Sequence, residues 1–321
     1  MKRTRICDLL GIDYPIIQGG MSWIANAELA AAVSEAGGLG LISPNAAMEK
    51  GGDQIANLRQ QIKKARALTD RPVGINLPLT GDEITGVSDL IATCVQEGVT
   101  VMTTSAGDPM IFAGYLKAAG ARVLHVVASV AHARRAEAAG VDVVIAEGYE
   151  AGGHNGRDEL PTMVLVPQVV DAVNIPVIAA GGIAEARGLV AALALGAEGV
   201  QIGTRFVATL ECCAHPAIKK AIVEAIDTGT VITARKLGPT RVLKNQLTAR
   251  LLEMEAAGAS AEELVKFLGS SRSRLGQLEG DLAEGEAYCG AIAGMIKEVV
   301  AAGDVVRSIV ADADKVLARL T

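Results

Sequence analysis

The residues best suited to chemistry stand in one stretch, Glu147-Gly148-Tyr149-Glu150-Ala151-Gly152-Gly153-His154-Asn155-Gly156, directly after the apolar run 141–146. A glycine-rich turn that ends a buried strand and carries one imidazole is how an α/β enzyme commonly presents a group that moves protons. Of four histidines, His154 alone lies in such a loop. His125 sits inside an apolar strand and reads as a hydrogen-bonded core group, His132 falls in a basic helix, and His215 precedes Pro216 as a helix start. Glu147 follows an apolar strand, where a carboxylate is costly unless it bonds a ligand or the loop. Asn76, in Val73-Gly74-Ile75-Asn76-Leu77, is an amide whose unmet hydrogen bonds a ligand edge would satisfy.

Two further strand ends have the composition of a phosphate site. Ala179-Ala180-Gly181-Gly182-Ile183 places a glycine pair before a helix, and Gln201-Ile202-Gly203-Thr204-Arg205-Phe206 combines a glycine with a hydroxyl and a cation. Backbone N–H groups approach phosphate oxygens closely where no Cβ intervenes, and Thr204 or Arg205 would add a donor. The bland reading is tight turns alone, since neither loop has P-loop or GxGxxG spacing. Gln18-Gly19-Gly20-Met21-Ser22-Trp23 holds the only tryptophan, on which a flat cofactor or substrate could rest; ordinary core packing is the alternative. No HExxH or GxSxG spacing occurs, so no metal site and no serine triad is assembled.

The elements that must position these residues follow from periodicity. Short apolar runs at 14–18, 38–42, 73–77, 100–104, 122–128, 141–146, 176–180 and 199–202 alternate with Ala-rich amphipathic stretches at 27–35, 53–67, 111–119 and 187–195. Eight parallel strands joined by helices imply an α/β fold, a (β/α)8 TIM barrel, with a doubly wound open sheet as the rival. In such a barrel the active site forms at the strands' C-terminal ends, which is where His154, Glu147 and the glycine turns named above fall. After Phe206 the β signals mostly stop. The expected organisation is a barrel over 1–210, a helical cap over 211–289, and C-terminal helices from about 290 to 321 packing back on the barrel. Expected helices there are 216–225, 240–256, 261–267, 290–301 and 305–320, with 269–276 a mobile connection.

Composition narrows the partners. Thirty Lys and Arg against thirty-six Asp and Glu give a net charge of -6, and no dense basic run is present, so nucleic acid is not expected. Half the residues are apolar but each run is too short to span a bilayer, and no signal-type apolar segment follows the basic N-terminus, so a soluble, cytoplasmic protein is expected. Five cysteines without a CxxC fit reduced thiols; the adjacent Cys212 and Cys213 would make a redox pair only with strained geometry. A homodimer is the default on base rates.

Six segments in order carry a family likeness: 14–21 (Tyr-Pro-Ile-Ile-Gln-Gly-Gly-Met), Gly74-Ile75-Asn76, Glu150-Ala151-Gly152-Gly153-His154, 179–183, 201–206 and Lys244-Asn245-Gln246. With them the chain resembles the FMN-dependent nitronate monooxygenases, formerly 2-nitropropane dioxygenases, and their relatives the flavin-containing enoyl-acyl-carrier-protein reductases and some NADH:quinone reductases. The resemblance implies FMN, its phosphate held at Gly181, Gly182, Gly203 and Thr204 and its ring near Gly20, Met21, Asn76, Glu147, Gly152 and Gln201. It implies that His154 is the catalytic acid, base or orienting group toward a small-molecule substrate. The leading activity is oxidation of alkyl nitronates with dioxygen; the alternatives are NAD(P)H-dependent enoyl-thioester reduction, quinone reduction, and a non-catalytic flavin carrier. Gln18-Gly19-Gly20-Met21 is the reductase form of the first motif, where nitronate enzymes have Gln-Ala-Pro-Met, whereas 157–163 and 188–196 look closer to the monooxygenase and quinone-reductase members.

Overall fold

The computed structural model describes residues 3–79 and 86–320; Met1 and Lys2, which head the basic N-terminal segment, lie outside them. The apolar runs become strands β1 Ile16–Gln18, β2 Gly40–Ile42, β3 Val73–Pro78, β4 Val101–Ser105, β5 Arg122–Val127 and β6 Val143–Glu147. Next come the two-residue β7 Gly153–His154, then β8 Val177–Ala180, β9 Gly199–Ile202, β10 Thr230–Thr233 and β11 Thr240–Leu243. Among the described residues eight strands pair in the order β1-β9-β8-β6-β5-β4-β3-β2, all in parallel. A bridge between Ile17 and Leu39 joins the two ends of that order, so the sheet is a TIM barrel.

Alternation along each strand separates two cores. Ile17, Leu41, Val101, Leu124, Val143, Ile145 and Ile178 fill the barrel, together with Ile6 and Leu10 of the helix Arg5–Leu10. Thr4 fixes that helix by donating to the Glu198 carbonyl at 2.6 Å, at the foot of β9, so it plugs the end opposite the strands' C-terminal loops. Val123, Val127, Val144, Ala146 and Val200 face outward and pack under the helices. The helix Ala302–Leu317 packs on Ala186–Ala194 and Ala27–Glu35, the helices beside the closing strands. Among the described residues no helix is long and apolar enough to cross a membrane.

Four features after Phe206 differ from the sequence expectation. The stretch 240–256 is not one helix: β11 occupies its first turn, and Asn245 starts the helix Gln246–Ala256 with a capping box to Thr248. Antiparallel β10 and β11 extend to β7, so the region after the barrel holds a small sheet as well as helices. The stretch 290–301 contains only a 3₁₀ turn at Ala291–Met295. The segment 269–276 is anchored: Ser273 is buried and its Oγ accepts from the Trp23 indole at 3.1 Å, while Arg272 donates to the Leu268 carbonyl at 2.8 Å and pairs with Glu284 at 3.2 Å.

Candidate active site

Loops at the C-terminal ends of the barrel strands surround a cavity of about 1170 Å³. Gly20 and Met21 line it after β1, Asn76 from β3, Glu147 from β6, and Gly152 and His154 from the loop beyond. Gly181 and Gly182 line it after β8, and Gln201, Gly203 and Thr204 line it from β9 and its loop. The structure thus brings around one cavity the eleven residues that the resemblance implied for the site.

The glycine pair after β8 is required by backbone geometry. Gly181 and Gly182 have φ of +87° and +72°, and a Cβ on Gly181 would stand 2.6 Å from the Gly148 carbonyl oxygen. A cradle of backbone N–H groups results, of the kind that binds oxyanions. Across it, Thr204 accepts a hydrogen bond from Gly290 N at 2.8 Å, which leaves its own hydroxyl proton to donate. At the other end, Gly20 leaves room for Asn76, whose side chain would lie 2.2 Å from a Cβ there. Thr103 donates to Asn76 Oδ1 at 2.9 Å, so Nδ2 is the free donor.

Glu147 ends β6 with no ion-pair partner among the described residues, and burial pushes its carboxyl up to about 7. It keeps some accessible surface, but that surface faces the cavity rather than bulk water. It is therefore an acid near neutrality, able to hold or give up a proton. Glu150, three residues on, is structural: its carboxylate accepts from Thr162 N at 3.0 Å and Thr162 Oγ1 at 3.0 Å and fixes the helix Thr162–Val170.

His154 is held by strand pairing, since β7 pairs with β11 through His154 opposite Thr240. Its ring is exposed in the cavity wall and meets the Tyr288 ring edge-on, with centroids 5.6 Å apart. Asn155 fastens the next turn, donating from Nδ2 to the Ala151 and Gly153 carbonyls at 3.0 and 2.9 Å.

Two candidates from the sequence have other roles. Trp23 is buried with φ of +72°, its indole donating to Ser273, and it does not line the cavity. Arg205 points away from the glycine cradle and donates to the Ala208 and Glu298 carbonyls, both at 2.9 Å. Cys212 and Cys213 are free thiols pushed up by burial to about 11 and about 12, so neither is a ready thiolate. Tyr288 and His125 line the cavity although the sequence signalled neither as a site residue. Tyr288 lies in a stretch that carries no motif; His125 lies in an apolar run that hid it.

The nitronate monooxygenase family model matches residues 3–312. A (3aS,4S,5R,7aS)-5-hydroxy-7a-methyl-1-oxo-octahydro-1H-indene-4-carboxyl-CoA dehydrogenase from Mycobacterium tuberculosis is 39% identical over 253 residues, 78% of this chain and 68% of its own. A probable nitronate monooxygenase from Staphylococcus saprophyticus is 35% identical over 295 residues, covering 78% of this chain and 81% of that one. Among solved structures, FabK from Thermotoga maritima superposes with a TM-score of 0.91 at 43% identity, over 100% of this chain and 99% of that one.

Proposed function

Since the chain belongs to the nitronate monooxygenase family and is an oxidoreductase, we propose that it binds FMN and reduces the carbon–carbon double bond of an acyl thioester with NAD(P)H, as a FabK-like enoyl reductase. Members of this family are FMN-dependent flavoenzymes. The observation that carries the reading is the size and shape of the cavity. At about 1170 Å³ it exceeds the range of roughly 300–1,000 Å³ usual for one drug-sized ligand, and it runs from the glycine cradle to Val265 and Leu268 beyond the barrel. An elongated second ligand beside the flavin accounts for that extent better than a small nitronate does. The Gly19-Gly20 turn, which the Asn76 side chain requires, points the same way.

The residues present fit FMN. The N–H groups of Gly181, Gly182 and Gly203 with the Thr204 hydroxyl would hold a phosphate, while Asn76 Nδ2, the Gln201 amide and the Glu147 carboxyl would meet a ring with donors and acceptors at its edges. Bound FMN supplies a two-electron carrier between donor and acceptor. Gly20, Met21 and Gly152 would pack against the ring. His154 would then face the substrate and provide the proton at the α-carbon of the thioester while the bound cofactor would supply the hydride for the β-carbon, so that each double bond would consume one NAD(P)H and one proton. Within this reading the barrel over 1–210, closed by the helices from about 290, carries the flavin, and 211–289 form the cap that shapes the substrate end.

Anaerobic stopped-flow spectroscopy tests the assignment. Expected are rapid bleaching of the flavin band by NADH or NADPH and its return on adding an enoyl-CoA. Bleaching by an alkyl nitronate but by neither nucleotide would instead establish the second reading, nitronate oxidation, which the family model favours. His154→Ala is expected to lower turnover about 10²-fold or more with FMN still bound; unchanged turnover would remove His154 from the catalytic role.

A further inference from the structure

The mechanism above leaves His125 unused, and its surroundings set it apart from the other histidines. Along β5, Leu124 joins the barrel interior while Val123 and Val127 join the outer layer, so His125 lies on the outer face. It is only 3% exposed, yet it lines the same cavity, in a crevice between the 105–109 turn and the helix Val130–Ala138. The Thr104 hydroxyl is 2.8 Å from His125 Nδ1 and 3.3 Å from the Leu124 carbonyl. Nδ1 is thus engaged by Thr104, and with the hydroxyl proton in the shorter of its two contacts the ring proton falls on Nε2.

Nε2 has no partner among the described residues, and it is not sealed off from the cavity. Burial first, then the neighbouring His132, push the ring down to about 4 against the opposing pull of Asp108, so the imidazole is neutral at physiological pH. Asp108 and Arg135 pair across the crevice, with Nε–Oδ1 at 2.9 Å, and largely cancel. Opposite, Ala106 holds a left-handed φ of +53°, a strain of the kind that gathers at ligand-binding turns. A buried, neutral N–H donor in a crevice without net charge suits an uncharged acceptor better than a phosphate.

We propose that this crevice is a second binding subsite in which His125 Nε2–H donates to an amide carbonyl of an elongated substrate or cosubstrate. The inference rests on the thioester reading above, and the amide has two possible sources: the arm of a carrier thioester, or the carboxamide of the pyridine nucleotide. Calorimetric titration of FMN-loaded protein with coenzyme A, and separately with NAD+, tests it without turnover. His125→Leu suits the apolar outer layer around Val123 and Val127, and Thr104→Val removes the hydroxyl that fixes the tautomer. Both variants are expected to bind one of the two ligands about three- to tenfold more weakly, the loss of one neutral hydrogen bond, with the other ligand and FMN content unchanged. Weaker coenzyme A binding identifies the thioester arm; weaker NAD+ binding identifies the carboxamide. If wild-type protein binds both ligands and His125→Leu alters neither, the subsite is overturned while the function stands. Loss of FMN along with both ligands would mark a structural role and overturn it too. If wild-type protein binds neither ligand, the thioester reading falls, and the subsite with it.

Discussion

The carboxyl of Glu147 gives the site a group that titrates where the enzyme works. Its ordinary value of 4.5 rises to about 7 because burial disfavours the charged form. The folded protein therefore keeps a proton that the unfolded chain releases between pH 4.5 and 7. The associated stability is complete below pH 4.5 and is lost as pH rises through 7, to an extent on the order of 3 kcal/mol. His125 acts in the opposite sense: held down to about 4, it stabilises the fold above its unfolded value of 6.5, and that stability is lost as pH falls. The two cannot be separated in wild type alone, but Glu147→Gln removes one. In FMN-free protein the variant should melt close to wild type at pH 5 and several degrees above it at pH 8, as thermal scans would show; a gap independent of pH would contradict the assignment. The cavity positions of Glu147 and Asn76 were legible in the sequence because each is polar at the end of an apolar run, and that of His154 because it stands in a glycine-rich loop after one. The donor role of His125 was not, because it depends on the β4–β5 register that sets Thr104 beside it.

The sheet of β10, β11 and β7 ties the region after the barrel to the loop that carries Gly152 and His154. Arg241 in β11 lies opposite Gly153, donates from Nε to the Tyr149 carbonyl at 3.0 Å, and places its guanidinium 5.1 Å from the Tyr149 ring centre. It is half-buried, so removing it costs a charged hydrogen bond and a cation–π contact, about 2–4 kcal/mol together. Arg241→Ala should therefore lower the melting temperature and loosen the loop, raising KM and lowering kcat together. Arg241→Lys keeps the charge but not the planar fork, and should recover only part of both. A lysine variant equal to wild type in KM and kcat would show that charge alone matters. The barrel strands were readable in sequence because each is a β-branched run bounded by turn glycines. The hairpin was hidden: β10 and β11 are four residues each, and Thr240 to Leu243 run into a helical pattern that starts at Gln246. Strands of that length are fixed by pairing, β10 with β11 and β11 with β7, rather than by periodicity of their own.

At the scale of the molecule, the chain's end completes its beginning. The helix Ala302–Leu317 buries Ala302, Val305, Val306, Ile309 and Ala313 against the helices Ala27–Glu35 and Ala186–Ala194, which flank the strands that close the ring. Sequence reading located this helix and expected it to pack back on the barrel, but not against which helices, since an amphipathic stripe says that a face is buried and not what covers it. If the helix is part of the barrel wall, deleting residues 302–321 strips the apolar cover from both neighbours. Burial of Val305, Val306 and Ile309 alone contributes roughly 1.5–3 kcal/mol each, and their sum is comparable with the whole margin of about 5–15 kcal/mol that holds a domain folded. A chain ending at Ala301 is thus expected to be insoluble or to lack cooperative unfolding by circular dichroism, and to retain no flavin. A truncated protein that stays soluble, melts cooperatively and still binds FMN would show instead that the first 300 residues fold unaided and that the last helix only decorates the barrel.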